Sequence, residues 1–231
     1  VSPLQLQGPK SRDIMRAAFG DGPADLKYFW FTEHEWEGTP LVISRTGWSS
    51  ELGYEIYLRE GALGERLWEY LMEVGEPMGL HPGHTSSIRR IEGAMLSYQA
   101  DMTLDNNPFE LGMDRLVNLN MEADFVSKTA LTRIAEKGVD RLSVGLALEG
   151  PPLDGSNDEY WPITIDGLVV GCVTSAIYSP RLEKNIALAM VARQYAEMGT
   201  RGVVETTERS RPCEVIPKPF YDPNKSLAGK S

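Results

Sequence analysis

The dipeptide Asp166-Gly167, set between the apolar runs Trp161-Pro-Ile-Thr-Ile165 and Leu168-Val-Val-Gly-Cys-Val-Thr174, constrains the fold of this chain more than any other feature. Two residues that tolerate positive φ, flanked by short β-branched runs, specify a tight antiparallel hairpin. Further short strands are predicted at 141–148, 186–191 and 202–206. Strands this short and this closely spaced predict a small β-barrel or sandwich.

Upstream of Asp140 the texture differs. Leu4-Gln-Leu-Gln7 alternates as a strand, Gly8-Pro9 ends it, and a helix follows to about Phe19. Runs 27–36 and 40–45 read as a hairpin around Glu37-Gly38-Thr39, packed by Trp30 and Trp36. Tyr54 to Leu58 is a strand, and Leu63, Leu67, Tyr70, Leu71 and Val74 then recur at helical spacing. Ser86 or Ser87 is a candidate N-cap for a helix carrying Ile88, Ile91 and Met95. Asp124 to Glu136 looks helical toward its end. The class is therefore α+β with two domains, 1–139 and 140–231.

Apolar residues make up 42% and charged ones 24% of 231 residues, which is ordinary globular usage. The formal charge of −10 argues against a nucleic-acid partner, whose phosphates need clustered Lys and Arg. No apolar run approaches the roughly 20 residues that span a bilayer, so no membrane is expected and the cytoplasm is the default. Cys172 and Cys213 make no disulfide framework, and His34, His81 and His84 lack the spacing of a metal site. Gly-rich phosphate loops and nucleophile elbows are missing as well.

The segment Ser44 to Leu58, with Thr46-Gly47-Trp48 and Gly53-Tyr54-Glu55-Ile56-Tyr57, plants Trp48, Glu55 and Tyr57 around a glycine-punctuated turn. Together with Gln7-Gly8-Pro9, the Arg90-x-Glu92 run with Tyr98 and Asp101 after it, the stretch Phe125 to Leu131, and Thr174-Ser-x-x-x-Ser-Pro with Lys184-Asn185, it resembles the glycine-cleavage T-protein (aminomethyltransferase) superfamily. The resemblance covers almost the whole chain. It implies the rear part of a folate-binding α/β body followed by a small C-terminal β-barrel. It also implies more than a hundred family residues before Val1, among them the acidic residue credited with proton handling, so the catalytic residue is expected there and is unknown within this sequence.

Within the superfamily, Trp48-Ser-Ser-Glu-Leu-Gly is similar to the dimethylsulfoniopropionate demethylase branch. The implied activity is a tetrahydrofolate-dependent methyltransferase that demethylates dimethylsulfoniopropionate to methylmercaptopropionate and forms 5-methyltetrahydrofolate. Trp48 and Tyr57 would bind the small-molecule methyl donor; Glu55, Arg90, Tyr98 and Tyr178 would bind folate. A sulfonium cannot be hydrogen-bonded, and an indole face suits it through cation–π attraction. Glycine-cleavage aminomethyl transfer, aromatic O-demethylation and a non-catalytic folate-binding relative or inactive fragment are the alternatives. The resemblance leaves the oligomeric state open, a dimer included.

Overall fold

The computed structural model describes residues 2–229, and the chain divides into two compact units: residues 2–86 with 222–229, and residues 87–221. This division by packing falls upstream of the expected 139/140 boundary. The reason is that the helical segment after Ser86 packs on the barrel strands that follow it.

The first unit is built on an antiparallel sheet of β1 (Ser2–Gln7), β2 (Phe31–Trp36), β3 (Thr39–Ser44) and β4 (Gly53–Leu58) in the order β1-β4-β3-β2. Alternation decides which face is covered. Leu6, Leu41, Ile43, Tyr54, Ile56 and Leu58 are buried, packed with Ile14, Met15 and Phe19 of α1 (Ser11–Phe19) and Leu67 and Leu71 of the later α3 (Gly64–Gly75). Each such side chain contributes about 1.5–3 kcal/mol on burial. The short helix α2 (Asp21–Ala24) brings Ala24 into the same core.

β2 begins later than the sequence predicts. Phe29 takes φ 65° and turns the chain, so the strand starts at Phe31. Trp36 is buried as expected, but Trp30 is 58% exposed with the Lys27 ammonium 5.0 Å from its ring centroid, so only one of the two indoles packs the hairpin.

In the second unit, β5 (Arg141–Leu148), β6 (Trp161–Ile165), β7 (Leu168–Ser179), β8 (Lys184–Ala192), β9 (Arg201–Glu205) and β10 (Ser210–Ile216) close an antiparallel barrel in the order β10-β5-β8-β7-β6-β9. Asp166 and Gly167 both have positive φ and join β6 to β7 as the sequence requires. Val144, Leu146, Val173, Ala187, Ala189, Val204 and Val215 fill the interior. Closure leaves no unpaired sheet edge.

The outside of the barrel is covered by α4 (Ser87–Glu92), where Ile91 meets Ile177, Ile186 and Leu188. α4 is shorter than its apolar spacing predicts. Ala94 turns left-handed at φ 52° and the Met95 amide returns to the Arg90 carbonyl at 2.7 Å, so Met95 lies beyond the helix end. The last helix, α5 (Lys128–Lys137), starts after Ser127 at φ 71°.

Candidate functional site

The face of the four-stranded sheet opposite α1 and α3 carries two of the residues singled out from the sequence. Glu55 and Tyr57, two apart on β4, point away from the core that Tyr54, Ile56 and Leu58 enter. Register sets Phe31, Ser44, Glu55 and Gln5 in one row across all four strands. The next row holds Glu33, Val42, Tyr57 and Pro3.

The Glu55 carboxylate is half-buried. Its Oε1 accepts from Gln5 Nε2 at 3.2 Å, and its Oε2 accepts from the Thr46 hydroxyl, which also lies 2.6 Å from the Ser44 hydroxyl. A carboxylate has about four acceptor positions, and these neighbours do not use them all. Burial, then the adjacent Glu55 charge and a hydrogen bond to that carboxylate, push the Tyr57 phenol above its usual value, and a hydrogen bond with Ser44 offsets part of the rise. Tyr57 is therefore a neutral O–H donor at physiological pH.

Trp48 stands in the turn that joins β3 to β4. From the core side Arg45, 1% exposed, supports that turn: its Nη1 donates to the Gly53 carbonyl at 3.3 Å, and its guanidinium lies 5.2 Å from the Tyr54 ring centroid and 5.9 Å from that of Tyr28. Burial lowers the Arg45 pKa and the Arg12 charge lowers it further, while the Tyr54 and Tyr28 hydroxyls offset part of that loss.

The other three candidates belong to the second unit. Arg90 is 8% exposed; its Nη1 donates to Asp101 Oδ2 at 2.7 Å and its Nη2 to Ser175 Oγ at 2.9 Å. Asp101 also accepts from the Ser97 amide at 2.9 Å and from the Thr174 hydroxyl at 2.7 Å. The register shift between Val173 and Ser175 makes this possible, because a bulged residue leaves the alternation and aims its side chain afresh. On the same helix, Glu92 accepts from Ser179 Oγ at 2.6 Å and lies 3.7 Å from Arg181, whose guanidinium sits 4.1 Å from the Tyr221 ring centroid.

Tyr98 is 56% exposed, and its bridge to Met102 brackets the loop that presents Asp101. Tyr178 of β7 pairs with Asn185 of β8, and alternation puts it on the opposite face from Ser175 and Ser179, which Arg90 and Glu92 grip. The structure thus brings Glu55 and Tyr57 onto one face and ties Arg90 to the loop of Tyr98, while Tyr178 turns away from Arg90. Two hollows lie elsewhere: one against the start of α5 (Asp124, Phe125, Lys128, Arg133) and one beside Asp154, Asp158, Trp161 and Glu208.

Sequence reasoning missed Gln5, Thr46 and Phe31, which share the Glu55 row or hold its carboxylate. The cross-strand register from Glu55 would have found Gln5 and Phe31, whereas Thr46 lies in the turn beyond β3 and no strand pattern reaches it. It also missed Ser175 as the partner of Arg90.

The family model described as the GCVT N-terminal domain matches residues 1–121, and that described as the glycine cleavage T-protein C-terminal barrel domain matches residues 141–222. The chain belongs to the glycine cleavage T-protein family. Among its T-protein relatives, dimethylsulfoniopropionate demethylase DmdA of Ruegeria pomeroyi is 37% identical over 93% of this chain and 58% of its own length. An aminomethyltransferase of Synechococcus sp. (strain CC9902) is 38% identical over 94% of this chain and 59% of its own length. The chain therefore spans somewhat under two thirds of these relatives. The glycine cleavage system aminomethyltransferase T of Bartonella henselae shares the T-protein fold at a TM-score of 0.80, with 21% identity over 96% of this chain and 60% of that one. Among the described residues no helix is long and apolar enough to cross a membrane.

Proposed function

We propose that this chain forms the folate- and donor-binding part of a tetrahydrofolate-dependent one-carbon transferase, and that its donor is a methyl sulfonium, dimethylsulfoniopropionate. The observation that carries the reading is the Glu55 carboxylate on the open sheet face, with acceptor positions to spare and the neutral Tyr57 phenol beside it.

The donor set fits a reduced pterin. Its amino and ring N–H groups form an adjacent pair of donors, and a carboxylate matches such a pair in plane. Tetrahydrofolate, when bound, supplies the nucleophilic N5 that takes the methyl group. Glu55 holds the ring by its N–H edge, Tyr57 donates an O–H, and Trp48 offers its indole face to the sulfonium, worth about 0.5–2 kcal/mol depending on desolvation. Because a sulfonium already makes its methyl electrophilic and its sulfide a good leaving group, alignment is the main contribution required of the protein.

Arg90, Tyr98 and Tyr178 enter this proposal as folate-side residues of the second unit. For Arg90, the bonds to Asp101 and Ser175 support a role in fixing the loop that carries Tyr98. A cytoplasmic setting suits a folate enzyme and is part of the same proposal.

The similarity to aminomethyltransferases at 38% identity favours a second reading, aminomethyl transfer. Trp48 in the turn is the feature against it. One-carbon transfer to tetrahydrofolate separates them, measured in parallel as 5-methyltetrahydrofolate from dimethylsulfoniopropionate or a methoxylated aromatic and as 5,10-methylenetetrahydrofolate plus ammonia from an aminomethyl-loaded lipoyl carrier: turnover with the sulfonium alone is expected, and turnover with the lipoyl carrier alone contradicts the reading.

A further inference from the structure

Gln7 lies inside the turn that carries Trp48. Its Nε2 donates to the Tyr54 carbonyl at 3.2 Å and to the Thr46 carbonyl at 3.4 Å, and its Oε1 accepts from Ser49 Oγ at 2.5 Å. One side-chain amide thus joins both arms of the turn to its crown. Residues 46–52 have no strand or helix of their own, so these bonds take the place of a ladder.

The glycines of the turn are explained by the same side chain. A Cβ built on Gly47 or on Gly53 would fall inside the Gln7 amide, and neither glycine has a positive φ. Both therefore leave room for the Gln7 amide, and a side chain at either position would displace it. The outer arm is fastened next to it, where the Gly8 amide at 2.7 Å and the Ser11 hydroxyl at 3.1 Å both donate to the Leu52 carbonyl.

We propose that Gln7 is the positioning residue of this site: its amide clamps Thr46, Ser49 and Tyr54 and so fixes Trp48 relative to Glu55. Gln7 acts through these residues. The inference rests on the reading of Trp48 and Glu55 as ligand-facing, and its test separates the two.

The chain labelled with 5-fluorotryptophan gives five ¹⁹F resonances, one per Trp, with that of Trp48 assigned by Trp48→Phe. Gln7→Met keeps the length of the side chain and removes its donors and acceptor. The Trp48 resonance is expected to shift or broaden while those of the buried Trp36 and Trp161 hold, and the tetrahydrofolate Kd is expected to rise about tenfold as preorganisation is lost. Gln7→Glu adds a pH signature: an ionised carboxylate faces two carbonyls and displaces Trp48 at neutral pH, and acidification restores one donor and reverses the displacement.

Ser49→Ala removes the bond to Oε1, together with the longer one that the Ser49 hydroxyl accepts from the Glu51 amide at 3.3 Å, and decides the matter in the same way if Gln7→Met does not fold. An unmoved Trp48 resonance, or equal movement of Trp36 and Trp161, overturns the inference. A wild-type chain that gives no saturable tetrahydrofolate signal, while Trp48 still responds to Gln7→Met, sinks the functional reading and upholds the clamp.

Discussion

Arg90 and Asp101 form a buried ion pair at 2.7 Å, with side chains only 10% and 1% exposed. Because α4 bears Arg90 and the following loop bears Asp101, the pair ties the helix, through Ser175 and Thr174, to the bulge in β7. Asp101→Asn removes the counter-charge from a desolvated guanidinium, and breaking such a pair costs about 3–5 kcal/mol. Urea unfolding should show a loss of that order. A change below about 1 kcal/mol would mean that the pair is solvated and ordinary.

Lys218 donates to Ser143 Oγ at 2.6 Å, and burial lowers its pKa to about 8 from the usual 10.5. Between those two values the unfolded chain binds more protons than the folded one, so this residue makes stability rise with pH across that window. Below pH 8 both states are protonated and the burial cost is borne in full. Subtracting the stability of Lys218→Met from that of the wild type, pH by pH, should give a difference that climbs from pH 8 to 10.5. A flat difference contradicts the shift.

Cys213 works in the opposite sense. Its thiol lines the barrel interior, and burial pushes its pKa up to about 11 from 9.0. Here the folded state holds the proton longer, so the contribution is fully present below pH 9 and is lost toward pH 11. Cys213→Ala should lower stability by an amount that shrinks over that range, as followed by thermal unfolding in a pH series.

Gly171 marks where β7 and β8 run closest, since a Cβ there would collide with the Met190 carbonyl and the Val191 backbone. No flexible side chain can yield. Gly171→Ala should cost about 1–3 kcal/mol or more by forcing the strands apart, with slowed-exchange amides of β8 losing protection first. Retention of full protection would show that the barrel absorbs a methyl group there.

Much of the architecture is written in local pattern. The Asp166-Gly167 turn and the alternation of Tyr54 to Leu58 each fixed an element because the signal lies within a few residues. β10 escaped because Pro212 interrupts its pattern, and a proline is tolerated there only by the details of pairing with β5 and β9. The ends of α4 and the start of β2 depend on left-handed Ala94 and Phe29, residue types that give no warning of positive φ.

The candidate site was legible on β4 and opaque elsewhere. Glu55 and Tyr57 follow from strand alternation, whereas the partners of Arg90 follow from a bulge that no local pattern announces. Gln7 stood out as part of a Gln-Gly-Pro step, yet its clamp joins positions about forty residues apart and becomes visible only when β1 lies beside β4.

The most direct measurement is a tetrahydrofolate titration of this chain followed by tryptophan fluorescence, run beside Glu55→Gln. The account predicts a saturable change in the wild type and a Kd weakened about 10- to 100-fold in the variant, the worth of one or two charge-assisted hydrogen bonds. Equal binding by both proteins, or none by the wild type, would contradict it.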